Sequence, residues 1–181
     1  MSSLLIACDG SCIGNGKENA PVGWSWADEN GNWLSNGWTH GTNQRAELHA
    51  IWSVLKFHPK GDLKIQMDSK YAINCVSNWA RGWEARGWTK ANKEPVLNLD
   101  LIKPAYELLK KHEGNVEFMW VKGHLKSNEF PLNTLADKYA YEASSRVRDG
   151  LVSPSGEYYL DSKGRTTLAP EANFMKRTYQ S

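Results

Sequence analysis

The sequence predicts an α/β fold in which helices cover both faces of a mixed five-stranded sheet. Two observations carry this prediction. Three extended segments follow one another at the start of the chain, and from residue 42 helical and extended segments alternate, giving the order βββαβα(αα)βα. Strands joined by short turns pair antiparallel, whereas strands joined through a helix pair in parallel. The 181 residues, 40% of them hydrophobic, suffice for one domain with a buried core.

The first three strands are predicted over residues 4–8, 22–27 and 33–38. The loop 28–32 contains the Asn-Gly pair of a tight hairpin, so the second and third strands should pair directly. The first strand is apolar and stops at Asp9, which is followed by a glycine. A buried strand therefore delivers a carboxylate to one edge of the sheet.

The first helix is predicted to begin at Thr42 or Asn43, either of which can cap it, and to end before Pro59. Its apolar positions are Leu48, Ile51, Trp52 and Leu55, at three- and four-residue spacing. Glu47 should lie in the first turn, beside this apolar stripe.

The later elements repeat the pattern of a strand that ends in a polar residue. Residues 63–67 alternate as a strand and end at Asp68, and Ser69 can cap the helix that follows. A helix over 98–111 carries Pro104, which should kink it, and precedes a strand over 116–121. In the last helix, which starts near Leu132, Asp137 lies within the apolar stretch.

Residues 79–94 interrupt this rhythm, and we name them the basic-aromatic element. Two glycines break the segment, which interleaves three tryptophans with four basic residues. These residues are Trp79, Trp83 and Trp88 with Arg81, Arg86, Lys90 and Lys93. A protruding surface that binds a polyanion is one interpretation, and an ordinary solvated charged face is the other.

Composition limits the class of protein. The formal charge is +2 and the pI is near 8.4, so a polyanion partner must be argued from local clusters of basic residues. No apolar run approaches the roughly 20 residues that span a bilayer, which argues against a membrane protein. The odd set Cys8, Cys12 and Cys75 lacks a metal-type pair and predicts free thiols in a reducing, cytoplasmic setting.

Four acids share an unusual kind of position: two follow strands and two lie beside the apolar face of a helix. They are Asp9, Asp68, Glu47 and Asp137. Each taken alone has an ordinary explanation as a turn residue, a helix-dipole partner or an ion-pair partner. Taken together, they predict a carboxylate site for a hard divalent ion such as Mg²⁺.

Five segments carry a resemblance to a known family. They are DGSCIGN at 9–15, TNQRAEL at 42–48, MDS at 67–69, WVKGH at 120–124 and NTLAD at 133–137. In order and approximate spacing the chain closely resembles the type 1 ribonuclease H family over about residues 4–146. Five motifs in register are far more specific than any one of them.

The resemblance implies an endonuclease that cuts the RNA strand of RNA·DNA hybrids and leaves 5′-phosphate and 3′-hydroxyl ends. It implies that Asp9, Glu47, Asp68 and Asp137 hold two Mg²⁺ ions, with Mn²⁺ as a possible substitute, and that Asp9 touches both. It also implies that His124 is a mobile residue that shuttles a proton or assists product release.

Substrate contacts are implied in the same way. Gly10, Asn15 and Gln44 match positions that contact RNA 2′-hydroxyls, and Cys12 lines the same loop. The other matches hold the DNA strand, namely Thr42, Asn43, Trp79, Arg81, Arg86 and Lys90. The implied partner is the hybrid itself. We expect a monomer that has no obligatory protein partner and does not associate with a membrane.

These matches divide the chain into a catalytic domain over residues 1–149 and an extension over 150–181 without an assigned role. Segments 158–160 and 166–168 could form a small hairpin, and a disordered tail is the alternative. Lys70 departs from the glutamine common in bacterial members, and the segment after His124 is longer than usual. Another nuclease of the superfamily and a non-catalytic hybrid-binding domain are the competing interpretations.

Overall fold

The computed structural model describes residues 3–123, 129–151, 158–163 and 166–168. The strands are β1 (Leu4–Cys12), β2 (Val22–Asp28), β3 (Trp33–Trp38), β4 (Leu63–Met67), β5 (Val116–Trp120), β6 (Tyr158–Asp161) and β7 (Thr166–Leu168). The helices are α1 (Asn43–Phe57), α2 (Lys70–Asn74), α3 (Ala80–Ala85), α4 (Leu99–Lys111) and α5 (Pro131–Arg148), and a π-helical turn (Cys75–Trp79) joins α2 to α3. No helix in these ranges is long and apolar enough to cross a membrane.

The sheet has the strand order β5-β4-β1-β2-β3-β6-β7. The pairs β1/β2 and β2/β3 are antiparallel, while β4 pairs in parallel with β1 on one side and with β5 on the other. This mixed arrangement confirms the predicted fold class and all five predicted strands. The sheet nevertheless has seven strands instead of the predicted five, because the hairpin β6–β7 from the extension adds two.

The hairpin joins the sheet at the edge of β3. Leu34 faces Asp161, Ser35 faces Leu160, and the Ser162 backbone N–H donates to the carbonyl of Trp33 at 3.1 Å. An edge strand carries unpaired backbone groups, which the hairpin satisfies here. The sequence left a small hairpin and a disordered tail open for these residues, and the structure shows the hairpin.

Two successive residues of β1 show that α1 and α5 cover opposite faces of the sheet. A Cβ atom on Gly10 would lie 2.8 Å from the Cβ of Ala46 in α1. The next residue, Ser11, brings its Oγ within 3.2 Å of the Ser144 Oγ in α5. Because successive side chains of a strand point to opposite faces, the predicted helical cover on both faces is confirmed.

Helix α1 lies deepest in the fold, since all ten residues from Ala46 to Leu55 are buried. Thr42 caps this helix by accepting the Arg45 N–H at 3.2 Å, which decides between the two predicted caps. The first helical residue is Asn43, so Glu47 lies in the second turn of the helix. The prediction that it lies in the first turn is wrong. This later position takes Glu47 into the buried part of the helix.

The basic-aromatic element consists of Trp79 at the end of the π-helical turn, helix α3 and the loop that follows it. Trp83 and Trp88 are half-buried against the core, and the Trp88 ring lies 6.0 Å from that of Tyr106 in α4. The basic side chains of this element are exposed; they are Arg81, Arg86, Lys90 and Lys93. Trp88 thus attaches the element to α4 and Trp83 packs against the core, while the cationic groups face solvent.

Candidate active site at the carboxyl ends of the parallel strands

The four predicted acids come together around one cavity of about 260 Å³. Contrary to the prediction, β1 does not stop at Asp9 but continues to Cys12, so Asp9 lies within the strand. Strands β1 and β4 run in parallel and pair up to Ala7 and Gln66, so Asp9 and Asp68, each two residues further on, lie side by side at the edge where β4 ends. Glu47 reaches this edge from α1 on one face, and Asp137 reaches it from α5 on the other. The remaining lining residues are Gly10, Ser11, Cys12, Asn43 and Tyr141.

Asp9 is the most enclosed of the four acids, with 3% of its surface exposed. Burial, the neighbouring charge of Asp68 and a hydrogen bond with Asp137 together raise the pKa of its carboxyl well above the usual value. The Gly10 N–H donates to its Oδ1 at 2.9 Å and opposes this rise. Asp9 therefore lies in a cluster of acids in which burial and the neighbouring carboxylates both disfavour its ionised form.

Glu47 is held by two neutral donors. The Ser69 hydroxyl donates to its Oε2 at 2.7 Å, and the Asn43 amide donates to its Oε1 at 3.2 Å. Burial raises the pKa of Glu47 to about 7, with a further upward contribution from Asp68, although the bond from Ser69 lowers it. Ser69 also caps α2 by accepting the Ala72 N–H at 3.1 Å, so one side chain starts a helix and orients an acid.

Asp68 is enclosed from the side of β5. The indole Nε1 of Trp120 donates to the backbone carbonyl of Asp68 at 3.1 Å. Gly123 passes so close to the Asp68 carboxylate that a Cβ atom on it would collide with Oδ2. The sequence alone assigned Trp120 and Gly123 no individual role. The one signal that could have found them was that WVKGH begins at the last residue of β5, the strand next to β4.

The donor set fits a divalent cation. Crowded carboxylates with raised pKa values are relieved by a hard positive ion, and Mg²⁺ and Mn²⁺ prefer oxygen ligands. Within the ranges that the structure describes, no three His, Cys, Asp or Glu side chains form a ready-made ligand group. His124, the fifth predicted catalytic residue, lies outside the described residues.

The predicted substrate residues near the cavity form one continuous surface. The side-chain Oδ1 of Asn15 accepts the backbone N–H of Asn43 at 3.1 Å, which joins the loop after β1 to the start of α1. Cys12 lines the cavity as a free thiol, and its Sγ lies 3.8 Å from the Gly41 carbonyl. The exposed side chain of Gln44 continues this surface along α1.

Gly10 has a structural reason to lack a side chain. A Cβ atom there would collide with the backbone of Glu47 and with Ala46, so the glycine lets β1 approach α1 closely. This approach brings the Glu47 carboxylate to the sheet edge where Asp9 lies. Any contact of Gly10 with a substrate would come in addition to this packing role.

The basic-aromatic element is linked to the cavity surface through Asn98. The Asn98 amide donates to the Tyr71 hydroxyl at 2.9 Å and to the Gln44 Oε1 at 3.4 Å. Tyr71 in turn lies 6.5 Å, ring to ring, from Trp79, which is 42% exposed. A path of polar and aromatic side chains thus runs from α1 to the start of the exposed basic residues.

Comparison with known proteins gives consistent results. The RNase H family model matches residues 1–145. The ribonuclease H of Tropheryma whipplei (strain Twist) is 35% identical over 146 residues, which is 80% of this chain and 86% of that protein. The ribonuclease H of Maricaulis maris is 36% identical over 153 residues, covering 82% of this chain and 97% of that protein.

Solved structures show the same fold. LC9-RNase H1, described as a type 1 RNase H with the type 2 active-site motif, matches with a TM-score of 0.62 and 25% identity over 80% of this chain and 74% of that one. A foamy viral protease-reverse transcriptase in complex with RNA/DNA hybrid matches with a TM-score of 0.65 and 21% identity. That match covers 78% of this chain and 20% of the viral one.

Proposed function

The chain belongs to the RNase H family and is a ribonuclease H enzyme, and from this premise we propose that it hydrolyses the RNA strand of RNA·DNA hybrids by a two-metal-ion mechanism. The products would carry 5′-phosphate and 3′-hydroxyl ends. The observation that supports this proposal is the convergence of Asp9, Glu47, Asp68 and Asp137 on one cavity.

In this proposal the four carboxylates would hold the ions, and Asp9 would be the central ligand, since its carboxyl interacts with both Asp68 and Asp137. When bound, two Mg²⁺ or Mn²⁺ ions would supply Lewis-acid activation of water and charge stabilisation at the leaving 3′ oxygen. Ser69 and Asn43 orient the Glu47 carboxylate, and Gly123 leaves room for that of Asp68. His124 is proposed to move a proton at the site or to assist product release.

Selection of the RNA strand would depend on its sugar hydroxyls, since a hybrid nuclease without sequence preference cannot depend on the bases. The surface formed by the loop after β1 and the start of α1 lies directly beside the carboxylates. We propose that Gly10, Asn15 and Gln44 contact 2′-hydroxyls there and that Cys12 lines their pocket. Thr42 and Asn43, at the exposed start of α1, would hold the DNA strand.

The exposed cations of the basic-aromatic element would bind the DNA strand outside the cavity. Each phosphate that Arg81, Arg86 or Lys90 neutralises releases counterions, which makes binding salt-dependent. Trp79 is exposed beside them and offers a ring face for a sugar. The path through Tyr71 and Asn98 fixes the position of this element relative to α1.

The proposal is tested by incubating the protein with labelled hybrid, RNA duplex, DNA duplex and single-stranded RNA, with and without Mg²⁺. We expect cleavage of the RNA strand of the hybrid alone, and only with the metal. Equal cutting of all four substrates, or cutting without metal, would refute the proposal.

Asp68→Asn is the matching variant, because it removes one charge from the cavity with little change in shape. It should abolish cleavage while hybrid binding, measured by fluorescence anisotropy, stays close to that of the unmodified protein. Glu117→Gln is the control, since Glu117 is an exposed acid of the neighbouring strand β5. An Asp68→Asn protein that still cleaves would remove Asp68 from the metal site.

A further inference from the structure

Trp120 and Lys70 border Asp68 but do not line the cavity. Strands β4 and β5 pair in parallel up to Met67 and Trp120, where both strands end. Beyond this point the Val121 N–H still donates to the Met67 carbonyl at 3.0 Å. The next carbonyl along the chain, just after β4, belongs to Asp68, and it accepts the Trp120 indole N–H at 3.1 Å.

A side chain therefore continues the hydrogen bonding between the two strands at the residue where β4 turns into α2. Successive carbonyls of a strand point to opposite neighbours, and that of Met67 points to β5, so in a regular strand the Asp68 carbonyl would point away from β5. Because the chain turns into α2 here, this carbonyl accepts the Trp120 indole N–H instead. The indole of Trp120 supplies a rigid donor there, and it fixes the peptide unit next to the carboxylate. Trp120 is 45% exposed, so burial in the core contributes little to holding its side chain in place.

Lys70 holds the indole from its other side. Its Nζ lies 4.2 Å from the centroid of the Trp120 ring, within the range of a cation–π interaction. Lys70 is also the first residue of the helical run that starts with α2, where a positive charge opposes the helix dipole. The contact with Trp120 offsets this unfavourable location and restricts the orientation of the ring.

We propose that Trp120 is a positioning residue for Asp68 and that Lys70 acts through Trp120 by holding the indole N–H against the Asp68 carbonyl. This inference rests on the proposed function, since it assumes that Asp68 is a metal ligand. It implies that the pair sets the affinity of the site for its ion, while the affinity for the hybrid depends on other residues.

Two variants separate the parts of this arrangement. Trp120→Phe keeps an aromatic face for Lys70 and removes the donor, while Lys70→Met keeps an aliphatic chain and removes the charge. Loss of one hydrogen bond should weaken Mn²⁺ binding to the free protein about five-fold in Trp120→Phe. Loss of the cation–π interaction should weaken it about two- to three-fold in Lys70→Met.

The double variant tests whether Lys70 acts through Trp120. A phenylalanine has no donor to orient, so Lys70→Met should cause no further loss of Mn²⁺ affinity in the Trp120→Phe background. Lys64→Met is the control lysine, since Lys64 lies on β4 and pairs with Glu117 at 4.0 Å on the sheet surface. It should leave Mn²⁺ affinity unchanged.

Isothermal titration of the free protein with Mn²⁺ measures these affinities without depending on turnover. In parallel, kcat for hybrid cleavage should fall at low Mg²⁺ and recover at saturating Mg²⁺, while the KM for the hybrid stays within about two-fold. A loss of activity from misfolding would not be restored by metal. Urea unfolding checks that the variants are folded.

Three results would overturn the inference: unchanged metal affinity in both single variants, a Lys70→Met effect that persists in the double variant, or a change confined to the hybrid KM. The last result would mean that Lys70 contacts the substrate directly. If the unmodified protein neither binds Mn²⁺ nor cleaves the hybrid, the proposed function itself fails. If it does both and the variants behave like it, only the role of Trp120 and Lys70 fails.

Discussion

Replacing Glu47 by glutamine should stabilise the metal-free protein at alkaline pH while it removes hybrid cleavage. Burial raises the pKa of Glu47 from 4.5 to about 7, so the ionised carboxylate is less stable in the folded protein than in the unfolded chain by about 3 kcal/mol. Glutamine has no charge to bury. It keeps one carbonyl oxygen as an acceptor, so losing one of the two hydrogen bonds costs about 1 kcal/mol. The expected net gain is about 2 kcal/mol.

The direction of the pH dependence follows from the raised pKa. Between about pH 4.5 and pH 7 the folded protein keeps a proton on Glu47 that the unfolded chain has released, so folding is weakened as pH rises through this window. Below the window both states are protonated, and the penalty is absent. The advantage of Glu47→Gln should therefore appear as pH increases and reach its full size above the folded-state pKa.

The assay is urea unfolding in the presence of a chelator at a series of pH values. At each pH the free energy of unfolding of Glu47→Gln is compared with that of the unmodified protein. Adding Mg²⁺ should reverse the order, because ion binding stabilises the protein that has all four carboxylates. Glu117→Gln, which removes an exposed acid, should change stability little at any pH. A Glu47→Gln protein that is less stable than the unmodified one above the window, with the chelator present, would refute the reasoning.

Other changes address the remaining parts of the site. Gly123→Ala should displace the Asp68 carboxylate and strongly reduce cleavage, while thermal unfolding changes little. The reason is that the added methyl group meets the Asp68 side chain and not the backbone. Unchanged activity would show that the position of Asp68 does not depend on this space. Replacing three exposed cations together with alanine should raise the hybrid KM more than it lowers kcat. It should also reduce the steepness of log affinity against log salt concentration by about 0.9 for each phosphate that is no longer neutralised. An unchanged slope would exclude these residues from binding. The three are Arg81, Arg86 and Lys90. Mg²⁺ at about 100 times its Kd should stabilise the unmodified protein by about 2.7 kcal/mol and Asp9→Asn much less, as measured by thermal unfolding; equal stabilisation of both would indicate that the ion binds elsewhere.

Local sequence patterns predicted the elements that carry the acids. The limits of β4 and the cap at Ser69 follow from short-range alternation and side-chain chemistry, and the structure agrees with both. The start of α1 was narrowed to Thr42 or Asn43, because both residue types can cap a helix and only the folded geometry selects one. The convergence of the acids was predictable because the carboxyl ends of parallel strands lie at one edge of the sheet.

The supporting contacts could not be predicted, because each joins residues far apart in sequence. Ser69 reaches Glu47 across 22 residues, and Trp120 reaches the Asp68 carbonyl across 52. A tryptophan at the end of a strand has many possible partners, and its hydrogen bond is decided by strand order and register. The attachment of the extension to β3 has the same origin, since an edge strand pairs with whichever segment reaches it.

The placement of α1 and α5 on opposite faces of the sheet has a consequence for the folding chain. Three of the carboxylates lie on α1, on β1 or directly after β4, and Asp137 arrives only when α5 docks on the other face. A folding intermediate in which α5 is still detached lacks one of the four carboxylates, even if its sheet and α1 are already formed. Nuclease activity should therefore require the docking of α5, and its recovery during refolding should be no faster than that docking, even if the sheet forms earlier.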